Sequence, residues 1–393
     1  GHTNRVMFRV RAADPAYWHL TSLPDFDGKT WRANENFSST SGNLRPKPKG
    51  SSLRQSVTIV NMGDGWVPAA FEAVAISGKS AFLYNPETAT VRLAGSSNLR
   101  TGLSYTVTSV IGSYSRRRLD AATANRPPDK RYLQLPDSFP DDLRATAESI
   151  VEGRRGAYDR VLALQNWFRD NFEYSLDVSY SGGTKGMREF LAARRGFCEQ
   201  FASTFAAFAR VLGIPARIAV GFTPGVKENG EYVVRARNAH AWPEVWFNKV
   251  GWVSFEPTPG RGAPGNQDYT GVRPEQDETV EPDTPDPTDT VEGADTVAVL
   301  EIDPLRAVTF ATTVNVRTPP FGNVGIVTPA CHAASVRPAG RAPESRLHAY
   351  GPVPPPAVRD AEYGMPTEPS PSELVVTLGS DPSAHRRAVI YRR

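Results

Sequence analysis

Gly196-Phe197-Cys198-Glu199-Gln200-Phe201-Ala202-Ser203, read on to Leu212-Gly213-Ile214-Pro215-Ala216-Arg217, is the stretch that decides the fold. Phe201, Phe205, Phe208 and Leu212 recur every three or four positions, which predicts a helix over 197–212 with one apolar face turned to a core. Gly213 and Pro215 close it. Cys198 then falls in the first turn, where unpaired backbone N–H groups and the helix dipole favour an anion. A thiolate held there is a nucleophile, whereas a lone cysteine without such a setting is a small buried hydrophobe. Glu199 and Gln200 fit the same turn as residues that suit the dipole.

Working outward, helical spacing is present upstream at 141–152 and at 157–172, where Val161, Leu164, Trp167 and Phe168 share one broad face. Strand patterns follow downstream at 216–222, 231–236, 240–247 and 251–256. Helices first and an antiparallel-looking sheet afterwards predict an α+β domain. In the strand His240-Ala241-Trp242-Pro243-Glu244-Val245-Trp246, alternation puts His240, Trp242, Glu244 and Trp246 on one face. A hairpin through 248–250 returns the next strand so that Glu256 comes back beside the start of the His240 strand. A thiol, an imidazole to take and return a proton, and a carboxylate to orient the imidazole make up the machinery of acyl transfer. The backbone N–H of Cys198 is the natural first oxyanion donor. The structural alternatives are a satisfied core histidine at His240, a solvated strand end at Glu256 and a core tryptophan at Trp242, which could also wall the imidazole.

Further out, short alternating runs at 6–10, 56–60, 90–93 and 104–110, parted by Gly, Asn, Ser and Pro clusters, predict a small all-β domain over 1–120. Its aromatic residues, Tyr17, Trp18, Phe26, Trp31 and Trp66, suit a β core or a ligand surface. Arg116-Arg117-Arg118 and Pro127-Pro128 read as a connector to a core over 121–260. Residues 261–293 read as an acidic, Pro-rich linker, and 294–393, with no Lys or Trp, as a mostly disordered tail.

The net charge of +3 over 393 residues, with no basic stripe, predicts no nucleic-acid partner. Six dispersed histidines without ligand spacing predict no metal site, and no cofactor motif is present. No apolar run is long enough for a membrane span, and the opening Gly1-His2-Thr3-Asn4-Arg5 predicts a soluble piece of a longer protein. Two cysteines, Cys198 and Cys331, leave free thiols or a single bridge open.

Four linked motifs, Gly196 to Ser203, Leu212 to Arg217 with Gly221-Phe222, Asn238-Ala239-His240-Ala241-Trp242 and Gly251-Trp252-Val253-Ser254-Phe255-Glu256-Pro257-Thr258, resemble the transglutaminase-like superfamily in order and spacing. The resemblance implies a papain-like fold with helices packed on an antiparallel sheet and a Cys-His-Asp trio, carried onto Cys198, His240 and, with Glu for Asp, Glu256. The opening segment, with Tyr17-Trp18 and Phe26-Asp27-Gly28-Lys29-Thr30-Trp31, is similar to what precedes the core in the bacterial membrane-anchored branch. That branch implies an extracytoplasmic location and membrane attachment through segments absent from this chain, with a further span after the linker that the tail lacks. The implied activity is a cysteine acyltransferase or peptidase forming a thioester on a Gln or other amide carbonyl of a protein or peptide, resolved by an amine acceptor or by water. A noncatalytic scaffold for cell-envelope proteins or peptidoglycan is the alternative, as is a working β domain to which the core is subordinate.

Overall fold

The computed structural model describes residues 4–276, apart from 46–49, 64 and 96–98, together with five short strands between 316 and 392. Two antiparallel sheets organise the first part. One has six strands in the order Val226–Glu228, Glu231–Arg235, Val6–Ala12, Ser51–Ile59, Ser104–Ile111 and Ala73–Gly78. The other has five, in the order Gly251–Ser254, Ala239–Phe247, Ala216–Phe222, Trp18–Leu23 and Ala69–Ala70. Strands from both sides of position 120 thus share both sheets. Glu231–Arg235 pairs with Val6–Ala12 in the first, and Trp18–Leu23 pairs with Ala216–Phe222 in the second.

Alternation in Ser51–Ile59 is regular: Leu53, Gln55, Val57 and Ile59 are buried and the residues between them are exposed. Phe8, Val10, Val57, Ile59, Val107 and Trp18 meet in one apolar core. Gln55 enters it with both ends of its amide used, donating to Ser109 Oγ at 2.8 Å and accepting from the Ala70 N–H at 2.7 Å. Such pairing removes most of the penalty of a buried amide.

Three helices, Asp141–Ile150, Ala157–Asn171 and Gly183–Ala193, pack on a fourth, Cys198–Val211. Asp141 and Asp142 sit in the first turn of their helix, where the dipole favours them. Cys198–Val211 packs across Ala216–Phe222 and Ala239–Phe247. Its Phe201 and Phe208 join Phe168, Phe172 and Phe190 in an aromatic cluster with neighbouring ring centroids about 5–6 Å apart. Each fully buried Phe contributes about 1.5–3 kcal/mol, so this cluster fixes the helix on its sheet. The helix ends as its sequence predicts: Gly213 has φ +72°, its N–H bonds Arg210 O, and the Ile214 N–H reaches back to Ala209 O.

The helix Gly183–Ala193 is not anticipated by spacing. Its start, Ser181-Gly182-Gly183-Thr184-Lys185-Gly186, reads as a loop, and the buried face consists of Gly186, Met187 and Phe190. Residues 261–276, assigned to the linker by composition, are folded: Arg261–Gly262 pairs with Glu275–Gln276, and the short helix Gln267–Thr270 buries Tyr269 against Phe255. Tyr269 is the reason, since its ring finds apolar cover and its hydroxyl donates to Ser254 O at 2.9 Å.

The expectation of a linker from 277 and of a disordered tail falls largely outside the described residues. What is described there is the antiparallel pairing of Val316–Arg317, Val324–Ile326, Ala349–Tyr350, Leu374–Val375 and Arg387–Arg392. No helix among the described residues is long and apolar enough to cross a membrane.

Candidate active site

Cys198 is the first residue of its helix, a free thiol that is 3 % exposed. Cys331, the other half of the bridge left open by the sequence, lies outside the described residues. The turn carrying Cys198 is closed from within: Gln200 Oε1 accepts the Phe197 N–H at 3.1 Å, the reach-back role of a third-position helix residue. Glu199 is half-buried beside the thiol, and burial lifts its carboxyl to about 7.

His240 stands in the strand Ala239–Phe247, which is hydrogen-bonded to Ala216–Phe222 on one side and to Gly251–Ser254 on the other. A strand inside a sheet leaves the imidazole little freedom. The hairpin has the register expected, with Glu244 opposite Ser254 and Phe247 opposite Gly251, and the Phe255 N–H continues the ladder to Pro243 O. Glu256 is thereby delivered to His240, with Nε2 of the ring 2.7 Å from Oε2 of the carboxylate.

Three donors converge on that carboxylate. His240 Nε2 and the Tyr17 hydroxyl, at 2.9 Å, both meet Oε2, and the Thr258 N–H donates to Oε1 at 3.1 Å. The backbone beneath is held just as firmly. Gln165 Oε1 accepts the Glu256 N–H at 3.1 Å, and Arg169 Nη1 donates to the carbonyls of Glu256, Thr258 and Arg261 at 3.2, 2.6 and 2.9 Å. Both side chains come from the helix Ala157–Asn171.

Electrostatics follow from this packing. Burial of His240 opposes its charge, but the Glu256 carboxylate, together with Cys198, outweighs burial and lifts the imidazole to about 9. Burial likewise opposes the charge of Glu256, and the imidazolium with the Thr258 and Tyr17 donors reverses it, leaving the carboxyl below its ordinary value. Both directions describe one buried ion pair. His19 is the contrast within the same molecule: equally buried, with Arg217 nearby and only Ser22 Oγ on its Nε2, it is pushed down to about 3.

His240 Nδ1 is buried and has no hydrogen-bond partner, while Cys198 contributes to raising the ring's basicity. Cys198 is thus a neighbour of the imidazole, acting on it through its side chain. Trp242 is both core and wall. It is 2 % exposed, and its ring stacks on His240 with centroids 5.9 Å apart and planes at 21°. His240 in its strand and Glu256, two residues past the end of the neighbouring strand Gly251–Ser254, thus meet, and Cys198 acts on the same imidazole from the start of its helix. Gln165 and Arg169 had no sequence signal that marked them, and Tyr17 was marked only as one of the aromatic residues of the amino-terminal segment. No cluster of metal-binding side chains is found among the described residues.

Residues 144–257 match the family model of the transglutaminase-like superfamily, and residues 2–116 match that of the TgpA N-terminal domain. The chain is 37 % identical over 140 residues to the uncharacterized protein YebA of Bacillus subtilis, covering 33 % of this chain and 19 % of that protein. It is 28 % identical over 268 residues to a protein-glutamine gamma-glutamyltransferase of Pseudomonas aeruginosa, covering 66 % of this chain and 38 % of that protein. The chain thus spans between about a fifth and two fifths of the length of these curated relatives. The crystal structure of the periplasmic domain of TgpA from Pseudomonas aeruginosa superposes with a TM-score of 0.52 at 26 % identity, over 65 % of this chain and 88 % of that one. The same domain bound to ethylmercury gives the same score and identity over 90 % of its chain. The chain is therefore related to the transglutaminase-like superfamily, and over the shared part it has the fold of a TgpA periplasmic domain.

Proposed function

We propose that this relative of the transglutaminase-like superfamily is a cysteine acyltransferase or hydrolase acting on amide carbonyls of proteins or peptides, with Cys198 as nucleophile, His240 as acid and base, and Glu256 as the orienting carboxylate. The observation that carries the reading is the buried His240–Glu256 pair, with Nε2 2.7 Å from the carboxylate, on an imidazole whose basicity Cys198 also raises.

In the first half-reaction the Cys198 sulfur attacks the amide carbon and a C–S bond forms. The tetrahedral oxyanion is received by the Cys198 N–H, which at the first helical position has no intrahelical acceptor. The intermediate collapses with cleavage of the C–N bond, and the leaving ammonia or amine takes the proton of imidazolium His240. In the second half-reaction an amine or water gives its proton to His240 as it attacks the thioester, and the C–S bond breaks to return the thiolate. Glu256 stays ionised throughout and holds the ring in register. The similarity to a protein-glutamine gamma-glutamyltransferase supports glutamine side chains as acyl donors, and the match to a periplasmic domain supports an extracytoplasmic site of action with membrane attachment elsewhere in a longer protein.

The test is to incubate the protein with a glutamine-containing peptide and a fluorescent primary amine, following amine incorporation and ammonia release separately. Ammonia release that disappears in Cys198→Ala and in His240→Ala is expected, and the ratio of the two products divides transfer from hydrolysis. Release at the same rate in both variants refutes the enzyme reading and favours a binding scaffold.

A further inference from the structure

Tyr17 belongs to the segment that precedes the core in sequence, yet it lies against the atoms proposed for chemistry. It is 8 % exposed, its ring is edge-on to His240 with centroids 5.4 Å apart and to Trp242 at 5.0 Å, and its hydroxyl donates to Glu256 Oε2 at 2.9 Å. That is the same oxygen that holds His240 Nε2. The ring is closed in by Ala219, Trp242 and Ala263.

Tyr17 is the last residue before a sheet strand, which anchors it. Trp18–Leu23 pairs with Ala216–Phe222, Trp18 lying opposite Phe222 and His19 opposite Gly221 after a register shift. Gly221 permits this approach, because a Cβ there would stand 2.0 Å from Trp18 O. Burial and the neighbouring carboxylate push the Tyr17 phenol well above its ordinary range, so it remains a donor at every pH at which the protein works.

We infer that Tyr17 is a positioning residue for the proposed reaction: by sharing Glu256 Oε2 with His240 it fixes the carboxylate rotamer and tempers its pull on the imidazolium, so that the amino-terminal segment sets the acid strength of His240. The inference rests on the function proposed above. A shared oxygen divides its lone-pair density between two donors. Removing the phenol leaves all of it to Nε2–H, which strengthens that bond and makes the imidazole hold its proton more tightly; it also leaves Oε2 free to swing.

The experiment uses the whole chain labelled with 15N-histidine, His240 being assigned by its absence in His240→Ala. In Tyr17→Phe, which keeps the ring and its packing, the His240 midpoint moves upward and kcat falls about tenfold, equivalent to about 1.4 kcal/mol, with KM unchanged. Replacing Tyr17 by 3-fluorotyrosine, a stronger donor of the same shape, moves the midpoint downward. Opposite shifts from loss and strengthening of one hydrogen bond are not expected of a residue that only packs. A midpoint and kcat unchanged in both substitutions overturn the inference while wild-type amine transfer leaves the enzyme reading standing. Loss of that reading shows separately, as wild-type turnover indifferent to Cys198→Ala.

Discussion

Replacing Glu256 by Gln tests the electrostatic logic of the site most directly. The substitution keeps the shape of the side chain and removes the charge that opposes the burial of His240. His240 sits at about 9 with the carboxylate, whereas His19, buried without one and near Arg217, sits at about 3. With Cys198 still favouring the proton, Glu256→Gln brings His240 below its ordinary value of about 6.5. At pH 7.5 the imidazolium fraction then falls from about 97 % to under about 10 %. The rate of Cys198 alkylation by iodoacetamide, read by mass spectrometry from pH 5 to 10, drops about tenfold at pH 7.5 because the thiolate loses its counter-charge. In the wild type the turnover profile keeps its full height up to about pH 9 and falls above it, where His240 has no proton left for the leaving amine. A Glu256→Gln profile that superimposes on the wild type over the whole range refutes the reasoning.

Arg169→Met deprives the carbonyls of Glu256, Thr258 and Arg261 of their shared donor, costing about 2–4 kcal/mol; the urea midpoint falls and kcat falls with it, while KM stays. Glu244→Gln breaks the pair with Arg217, whose Nε lies 2.7 Å from Oε2 with both side chains at most 2 % exposed. The stranded guanidinium costs about 3–5 kcal/mol, seen in denaturant unfolding, and an unchanged midpoint would show the pair to be solvated. Gly221→Ala drives a Cβ into Trp18 O and destabilises by about 1–3 kcal/mol or more, with loss of turnover out of proportion to the loss of folded protein because Tyr17 moves. Stability linked to His240 itself is complete below about pH 6.5, the unfolded value, and is lost as pH rises through about 9, since the folded state there holds a proton that the unfolded chain has released. Chemical denaturation at pH 6 and pH 9.5 reads that loss.

The placement of Cys198 at a helix start and of Glu256 beside His240 was legible in the sequence because each follows from local rules. A helix with Phe201, Phe205 and Phe208 on one face fixes where Cys198 begins it, and a short hairpin fixes which residue returns to His240. The residues that complete the site are separated from it by distances no local rule spans: Tyr17 by 239 positions, Gln165 by 91 and Arg169 by 87 from Glu256. Trp18–Leu23 is buried at nearly every position and shows no alternation that announces a strand or its partner, so the sharing of both sheets across position 120 was hidden. The helix Gly183–Ala193 was hidden for a different reason: glycines at 182, 183 and 186 carry the signature of a loop, and Gly186 is packed so that a Cβ would lie 1.8 Å from Ser181 O. There the close approach of the chain leading into the helix selects glycine against helix propensity.

The exchange of strands between the two sheets changes how the amino-terminal segment bears on function. If residues before 120 only carried a binding surface, the site geometry would be indifferent to them. Instead Trp18–Leu23 is an interior strand of the sheet that carries His240, Trp31 Nε1 donates to Ser203 Oγ on the helix of Cys198 at 3.1 Å, and the Arg210 guanidinium from that helix sits 4.5 Å from the Trp31 ring centroid while donating to Ala216 O. The supports of the thiol and of the imidazole both therefore include side chains or strands from the first 31 residues. Interior strands and buried polar pairs open only with large-scale unfolding, so the two segments named by separate family models are one mechanical unit at the site.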